Sequence, residues 1–401
     1  MTPTSQATLT NDTGNNTVAV DDFRHRFPEL DGLRGIASLI VGLFHGFCLP
    51  LLIPTTILGV PVVAAVEGVI SGAVAVDLFF IMSGFFLCGM LDAITLRNLP
   101  SFYIRRYVRL IPPAAASLVL IYIFAKFTLR ALPETPNAGT DYFLFYADNH
   151  IIALKTLVLN FLFIRHTLNP PLWTIRQEIL ISSLFPLVFF LKNTRAAAWY
   201  KISLLPVFLL IALLLDRHQK LGLDVFHYLY MFYAGALIRD YGHLIRQLPN
   251  AWQYILCTVA IAGLITVGES IPTYDLHPIM FDIPVTLFGI ILITLLSHGT
   301  IPVIRGFMNG RGVQFLGRIS YSFYLINWLC VMGTTQAIIH SGMIAYYGVL
   351  PAALLLTAVS TLMSLIGAYW LYVTIEKPAV RLSRYLGIIS RAPSPTTAPA
   401  A

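Results

Sequence analysis

The sequence predicts an all-α, polytopic integral membrane helix bundle of about ten spans with both termini in the cytoplasm. Three observations predict it. Of 401 residues, 57% are hydrophobic and only 11% are Asp, Glu, Lys or Arg, against roughly 45–50% and about 25% in soluble domains. A soluble globule of this size could not cover its surface with so few charges. Apolar runs recur at the length a bilayer needs, about 20 helical residues for a core of about 30 Å. The basic residues also sort to one side of those runs.

The chain opens on a Thr-, Asn- and Asp-rich stretch, 1–26, with no apolar core of signal-peptide length, and closes on RAPSPTTAPAA. Both read as loose cytoplasmic tails, 1–26 and 389–401, around one membrane domain, 27–388. Within it the apolar runs are 30–53, 73–91, 110–127, 178–192, 202–216, 224–239, 253–268, 282–298, 319–340 and 350–374. Several are short, so a span there borrows flanking residues or sits tilted. Two stretches fit no simple span: 54–72, with Pro54, Pro61 and Glu67, and 151–164, apolar but only 14 residues long. Both are expected as re-entrant or interfacial pieces packed on the bundle.

Alternating the ten runs from a cytoplasmic amino terminus puts 19 of the 26 basic residues inside. Lys126, Arg130, Lys155, Arg165, Arg176, Arg217 and Lys220 are left outside. That asymmetry is the positive-inside bias expected of an even number of spans. It also absorbs most of the net charge of +7, which forms no basic arm and so implies no nucleic-acid partner. Cys48, Cys88, Cys257 and Cys330 sit in apolar runs without CxxC pairing, which excludes a disulfide framework or a zinc knuckle. Histidines never fall at ligand spacing on one helix, so no metal site is expected. No P-loop, dinucleotide fingerprint, HExxH or glycosidase carboxylate pair occurs.

Polar groups inside an apolar helix are costly and are therefore the candidates for function. In the first run Arg34 lies near the cytoplasmic end and His45 eleven residues later. Eleven helical residues rise about 16.5 Å and rotate to within about 20° of three whole turns, so both side chains share a face. A cation at the surface and an imidazole in line below it suit a long ligand with an anionic head and a reactive end, the shape of an acyl-CoA. The plainer alternative makes Arg34 a topological anchor and His45 a packing residue. After the second run, Arg106 and Arg109 are three apart and share a face, with Arg105 beside them. Such forks bind phosphate oxygens bidentately; basic clusters beside spans also commonly face lipid phosphates.

The second run, VDLFFIMSGFFL, carries Asp77, which is expensive in an apolar helix unless paired, and Ser83-Gly84, small residues that let helices approach. Ser83 has no nucleophile-elbow context, so Asp77 and Ser83 are candidates for lining a substrate path. The fourth run opens with LWTIRQE. Trp173 there is a substrate-lining candidate, or more simply an interfacial belt aromatic. Glu178, at the expected entry point from outside, is a candidate to orient a histidine or bind an acceptor hydroxyl.

The segments DGLRGIASLIVGLFH, VDLFFIMSGFFL, RRYVRLIPP, LWTIRQE, LGRISYSFYLINW and IEKPAVRL, in that order, together resemble the membrane-bound acyltransferase family 3, O-acyltransferases of surface sugars and related acceptors. Arg34 and His45 match the family's Arg-x10-His pattern, and Arg106 and Arg109 its RxxR pattern. The resemblance implies transfer of an acyl group, commonly acetyl, from cytoplasmic acyl-CoA to a hydroxyl of a carbohydrate or glycosylated acceptor at or across the plasma (inner) membrane. Acyl-CoA would be a co-substrate, with no permanently bound cofactor. It implies Arg34, Arg106 and Arg109 as donor contacts and His45 as catalytic base or transient acyl carrier, with Glu178 in support. Two departures stand out. Asn327 occupies a position that is often His in the family, and an amide cannot carry a proton. No esterase-like domain follows the last span, so the membrane domain is expected to acylate the acceptor directly or to hand over to a separate periplasmic partner protein. A solute transporter or flippase is the competing class, because buried Arg, His and Asp also suit ion pathways. A membrane scaffold is a third.

Overall fold

A computed structural model describes residues 27–48, 66, 68–92, 94, 98–128, 153–192, 197–215, 225–270 and 279–389. Both tails and most of 54–72, including Glu67, lie outside the described residues. The described chain forms helices α1 (Pro28–Phe47), α2 (Gly72–Leu91), α3 (Leu99–Phe127), α4 (Leu154–Phe161), α5 (Leu172–Lys192), α6 (Ala198–Leu215), α7 (Val225–Tyr241), α8 (Asn250–Ser270), α9 (Ile279–His298), α10 (Pro302–Met308), α11 (Arg311–His340), α12 (Met343–Tyr347), α13 (Val349–Leu371) and α14 (Lys377–Ile389). Among the described residues there is no strand, and nine helices are long and apolar enough to cross a membrane. Helix α7, 17 residues long, corresponds to the sixth apolar run, 224–239, and completes the ten. The protein is a multi-pass membrane helix bundle.

Its outward faces are lipid-like. Trp199 is 73% exposed and Leu214 65% on α6, and Trp252 is 58% exposed on α8. Apolar surface on that scale needs a bilayer to cover it. The interior is packed round α1, α2, α7 and α11. Where two of these meet, glycine permits backbone contact: a Cβ on Gly84 would come 1.8 Å from the Phe232 carbonyl oxygen, and one on Gly235 2.0 Å from that of Ile81. Small residues are thus what lets α2 and α7 touch. Polar ties close the same core. Lys192, 1% exposed, donates to both Asp240 oxygens at 2.9 Å and approaches Cys88 Sγ at 3.1 Å, joining α5, α7 and α2.

Three helices start six or more residues earlier than their apolar runs do. Helix α3 begins at Leu99 rather than 110, α5 at Leu172 rather than 178, and α11 at Arg311 rather than 319. In each case the added turns carry arginine, which a hydropathy pattern reads as loop but which extends a helix as readily as leucine. The last run likewise continues beyond α13 through a π-helical turn, Tyr372–Glu376, into the amphipathic α14.

The stretch before α5 explains its early start. Of 151–164, the described part from 153 forms α4, which packs on α3. Asn160 then accepts from Leu168 N at 3.1 Å, folding the chain inward. Leu168 and Asn169 are both fully buried, and Asn169 Nδ2 donates to the Leu325 carbonyl at 3.0 Å, in the middle of α11. Tyr324 donates to the Pro171 carbonyl at 3.0 Å. Helix α5 therefore begins inside the bundle rather than at its outer surface, and Arg176, grouped with the outer loops by alternation, sits on this interior helix.

Candidate active site

Helix α1 starts at Pro28 with Glu29 and Asp31 in its first turn, acids that favour the positive end of the helix dipole. One turn on, Arg34 lies 3.9 Å from Asp31 and lines a small, partly open cleft. Val76, Phe79, Phe80 and Ser83 of α2, Thr174, Ile175 and Glu178 of α5, and Ser320, Tyr321 and Tyr324 of α11 complete its lining. The early start of α5 is what brings Glu178 here.

Glu178 accepts from Ser83 Oγ at 2.7 Å and forms an ion pair with the Arg106 guanidinium. Arg106 is 5% exposed, and its Nε donates to Ser182 Oγ at 3.1 Å. A buried guanidinium held this way is paired and aligned, as a charge at such depth must be. Arg109, half-buried one turn further along α3, lies within Coulombic reach of Glu178, Tyr321 and Glu376. Glu376, 4% exposed, accepts from Ser322 Oγ at 2.6 Å and is also within reach of Arg34. Three arginines and two carboxylates from four segments thus gather at one end of the cleft. Arg105 is not among them; it packs against Gly387 of α14.

His45 lies beyond the other end. Helices α1 and α11 run side by side in the same direction, with Gly35 against Gly317 and Gly42 against Phe323 and Asn327. His45 Nδ1 is 3.0 Å from Asn327 Oδ1, one helical turn past Tyr324, the deepest α11 residue of the cleft. Its ring meets Trp328 edge-on, with centroids 5.4 Å apart. His45 and Glu178 do not touch, so the orienting contact between them anticipated from sequence is not made; Glu178 belongs to the arginine end.

Asp77 and Trp173 stand apart from the lining. Asp77 is 2% exposed and lies with Asp282, whose carboxylate is 2.6 Å from His227 Nε2. Trp173, half-buried, packs against aromatic rings of the bundle, 6.1 Å from Phe80 and 5.6 Å from Tyr228. Among the described residues no cluster of three or more His, Cys, Asp or Glu could hold a metal.

Tyr321, Tyr324, Ser182 and Glu376 entered the site without being singled out in the sequence. Glu376 was visible inside IEKPAVRL, but its neighbour Lys377 makes the segment look like an interfacial boundary; only the π-helical turn carries the carboxylate back to Ser322. Such turns recur at functional sites.

Fold and site define a class, a membrane helix bundle with an arginine-mouthed cleft in its interior and a histidine in line below. The profile of an acyltransferase domain matches residues 27–373. The chain belongs to the membrane acyltransferase family 3, and it is an acyltransferase. No curated protein and no solved structure matches it.

Proposed function

We propose that the protein transfers an acyl group, acetyl in the simplest case, from cytoplasmic acyl-CoA to a hydroxyl of a carbohydrate or glycosylated acceptor at the plasma membrane. One observation carries this reading: a cleft lined by Arg34, beside the buried Arg106 and half-buried Arg109, runs toward the level of a histidine on the same helix as Arg34. Phosphates of the donor would meet Arg34, Arg106 and Arg109. The narrow pantetheine arm would follow Ser83, Tyr321 and Tyr324, and the thioester would reach His45. There the imidazole removes the proton as the acceptor oxygen attacks, or takes the acyl group itself and passes it on. Glu178 serves as counter-charge to Arg106 and yields part of that role when phosphate arrives. The cytoplasmic placement of both termini, which sets the donor side, belongs to the same proposal.

Membranes containing the protein, supplied with radiolabelled acetyl-CoA and a glycan extract, should transfer label to the glycan. His45→Ala should lose that transfer by roughly 10²-fold or more, the usual contribution of a general base, while inserting normally. Label transfer by His45→Ala at the wild-type rate contradicts the assignment. Solute flux in proteoliposomes without acyl donor, with no acyl transfer when donor is added, would favour the transporter reading instead.

A further inference from the structure

Asn327 is fully buried, 1% exposed, and stands where the family often carries histidine. It is held at both ends of its amide. Ser364 spends its one hydroxyl hydrogen on the Ser360 carbonyl, 2.6 Å away. Its oxygen can then only accept, and it accepts from Asn327 Nδ2 at 3.2 Å. The amide is thereby oriented with Oδ1 toward α1, where it lies 3.0 Å from His45 Nδ1. A carbonyl oxygen accepts and never donates. For the contact to be a hydrogen bond, His45 must carry a proton on Nδ1.

We propose that Asn327, fixed by Ser364, is a positioning residue that locks neutral His45 in the Nδ1-protonated tautomer, leaving the Nε2 lone pair as the base for the acceptor hydroxyl. The proposal rests on His45 being the group that takes the proton or the acyl. Among the described residues Nε2 makes no hydrogen bond, so the lone pair is not already committed. The same chain runs in one direction: His45 donates to Asn327, Asn327 to Ser364, Ser364 to the Ser360 carbonyl. Gly42 makes room for it, since a Cβ there would come 3.0 Å from Asn327 Nδ2 and 2.6 Å from the Phe323 ring. In the reaction the acceptor O–H proton moves to Nε2 as the oxygen attacks the thioester carbonyl, and the thiolate leaving group takes that proton back to depart as free CoA. The Nδ1 proton stays on His45 throughout, donated to Asn327 Oδ1. An amide performs the orienting part of what a carboxylate does in a Ser-His-Asp triad, without the charge that would stabilise the imidazolium.

The test reads the tautomer directly. Full-length protein with isotope-labelled histidine nitrogens in lipid nanodiscs is compared by nitrogen NMR with Asn327→Asp, Ser364→Ala and Asn327→Leu, His45→Ala serving to assign the signal. Wild type and Asn327→Asp should show His45 protonated on Nδ1 at neutral pH. Ser364→Ala, the mildest change, frees the amide to turn and should give a mixture of tautomers. It should also lower kcat for acetyl transfer by about tenfold with KM for acetyl-CoA within about twofold, a loss confined to the chemical step. Asn327→Asp should retain kcat and shift the lower limb of the pH profile upward, because a carboxylate stabilises imidazolium. A wild-type His45 protonated on Nε2, or a tautomer unmoved by both Ser364→Ala and Asn327→Leu, overturns the lock even if His45→Ala is inactive. A tautomer that responds as expected while His45→Ala stays active upholds the lock and overturns the base assignment.

Discussion

At the scale of single residues, Arg106 is the group whose surroundings specify most about its use. It is buried, its Nε is committed to Ser182, and its terminal nitrogen is committed to Glu178. Removing the charge outright would strand Glu178 in the interior, a loss of about 3–5 kcal/mol for a broken buried pair, and the protein would fail for reasons unrelated to catalysis. Arg106→Lys separates the two roles. It keeps a cation beside Glu178 but loses the planar fork that grips phosphate in two places. We expect the variant to insert and unfold like wild type while KM for acyl-CoA rises about tenfold, equivalent to one charge-assisted hydrogen bond. Unchanged KM, measured by titrating acetyl-CoA, would remove Arg106 from the donor site. Little of this was legible in the sequence. Arg106 and Glu178 were each singled out, but their contact depends on where α5 begins in depth, and that is decided by Asn169 and Pro171 contacting α11, long-range bonds that no local pattern reveals.

At the scale of elements, close helix contacts and the turn ahead of α14 carry the testable claims. Gly84 lies in the seam between α2 and α7, where any Cβ would meet the Phe232 backbone at 1.8 Å. A backbone cannot give way as a flexible side chain does, so Gly84→Ala should cost about 3 kcal/mol, the upper part of the range for overpacking. It should appear as a clear drop in thermal unfolding temperature in detergent. Gly312, at the start of α11, has nothing within 4 Å of its virtual Cβ, so Gly312→Ala should be neutral or slightly stabilising by helix propensity. Equal effects at the two glycines would refute the packing argument. At the π-helical turn, Ser322→Ala takes away the hydroxyl that satisfies buried Glu376 and should cost about 1–2 kcal/mol in the same measurement. Span existence was legible because apolar length survives any tertiary context. Span starts at α3, α5 and α11 were not, because arginine at a helix end and arginine in a loop look alike until their partners are known.

At the scale of the whole molecule, the asymmetry of charge and the path of the cleft have to agree. Alternation is expected to put most basic residues and both termini on one face, and the arginine end of the cleft lies toward the start of α1, the end that this orientation would make cytoplasmic. If the donor enters there, a tag on either terminus should be reached by a membrane-impermeant reagent only after the cytoplasmic side is opened. Reaction of both tags in intact cells would reverse the orientation and put the anionic head of the donor on the wrong side. The family membership was legible because six segments hold their order across the chain. The buried group of Asp77, Asp282 and His227 was legible only as one costly aspartate, since its partners come from α7 and α9, far away in sequence. The most direct measurement is mass spectrometry of envelope glycans and secreted metabolites from cells expressing wild type or His45→Ala at equal membrane levels. An added acyl mass on a hydroxyl-bearing glycan or glycoside in wild type, absent with His45→Ala, is the predicted result. The same acylated product in both strains would contradict His45 as the group that carries the reaction.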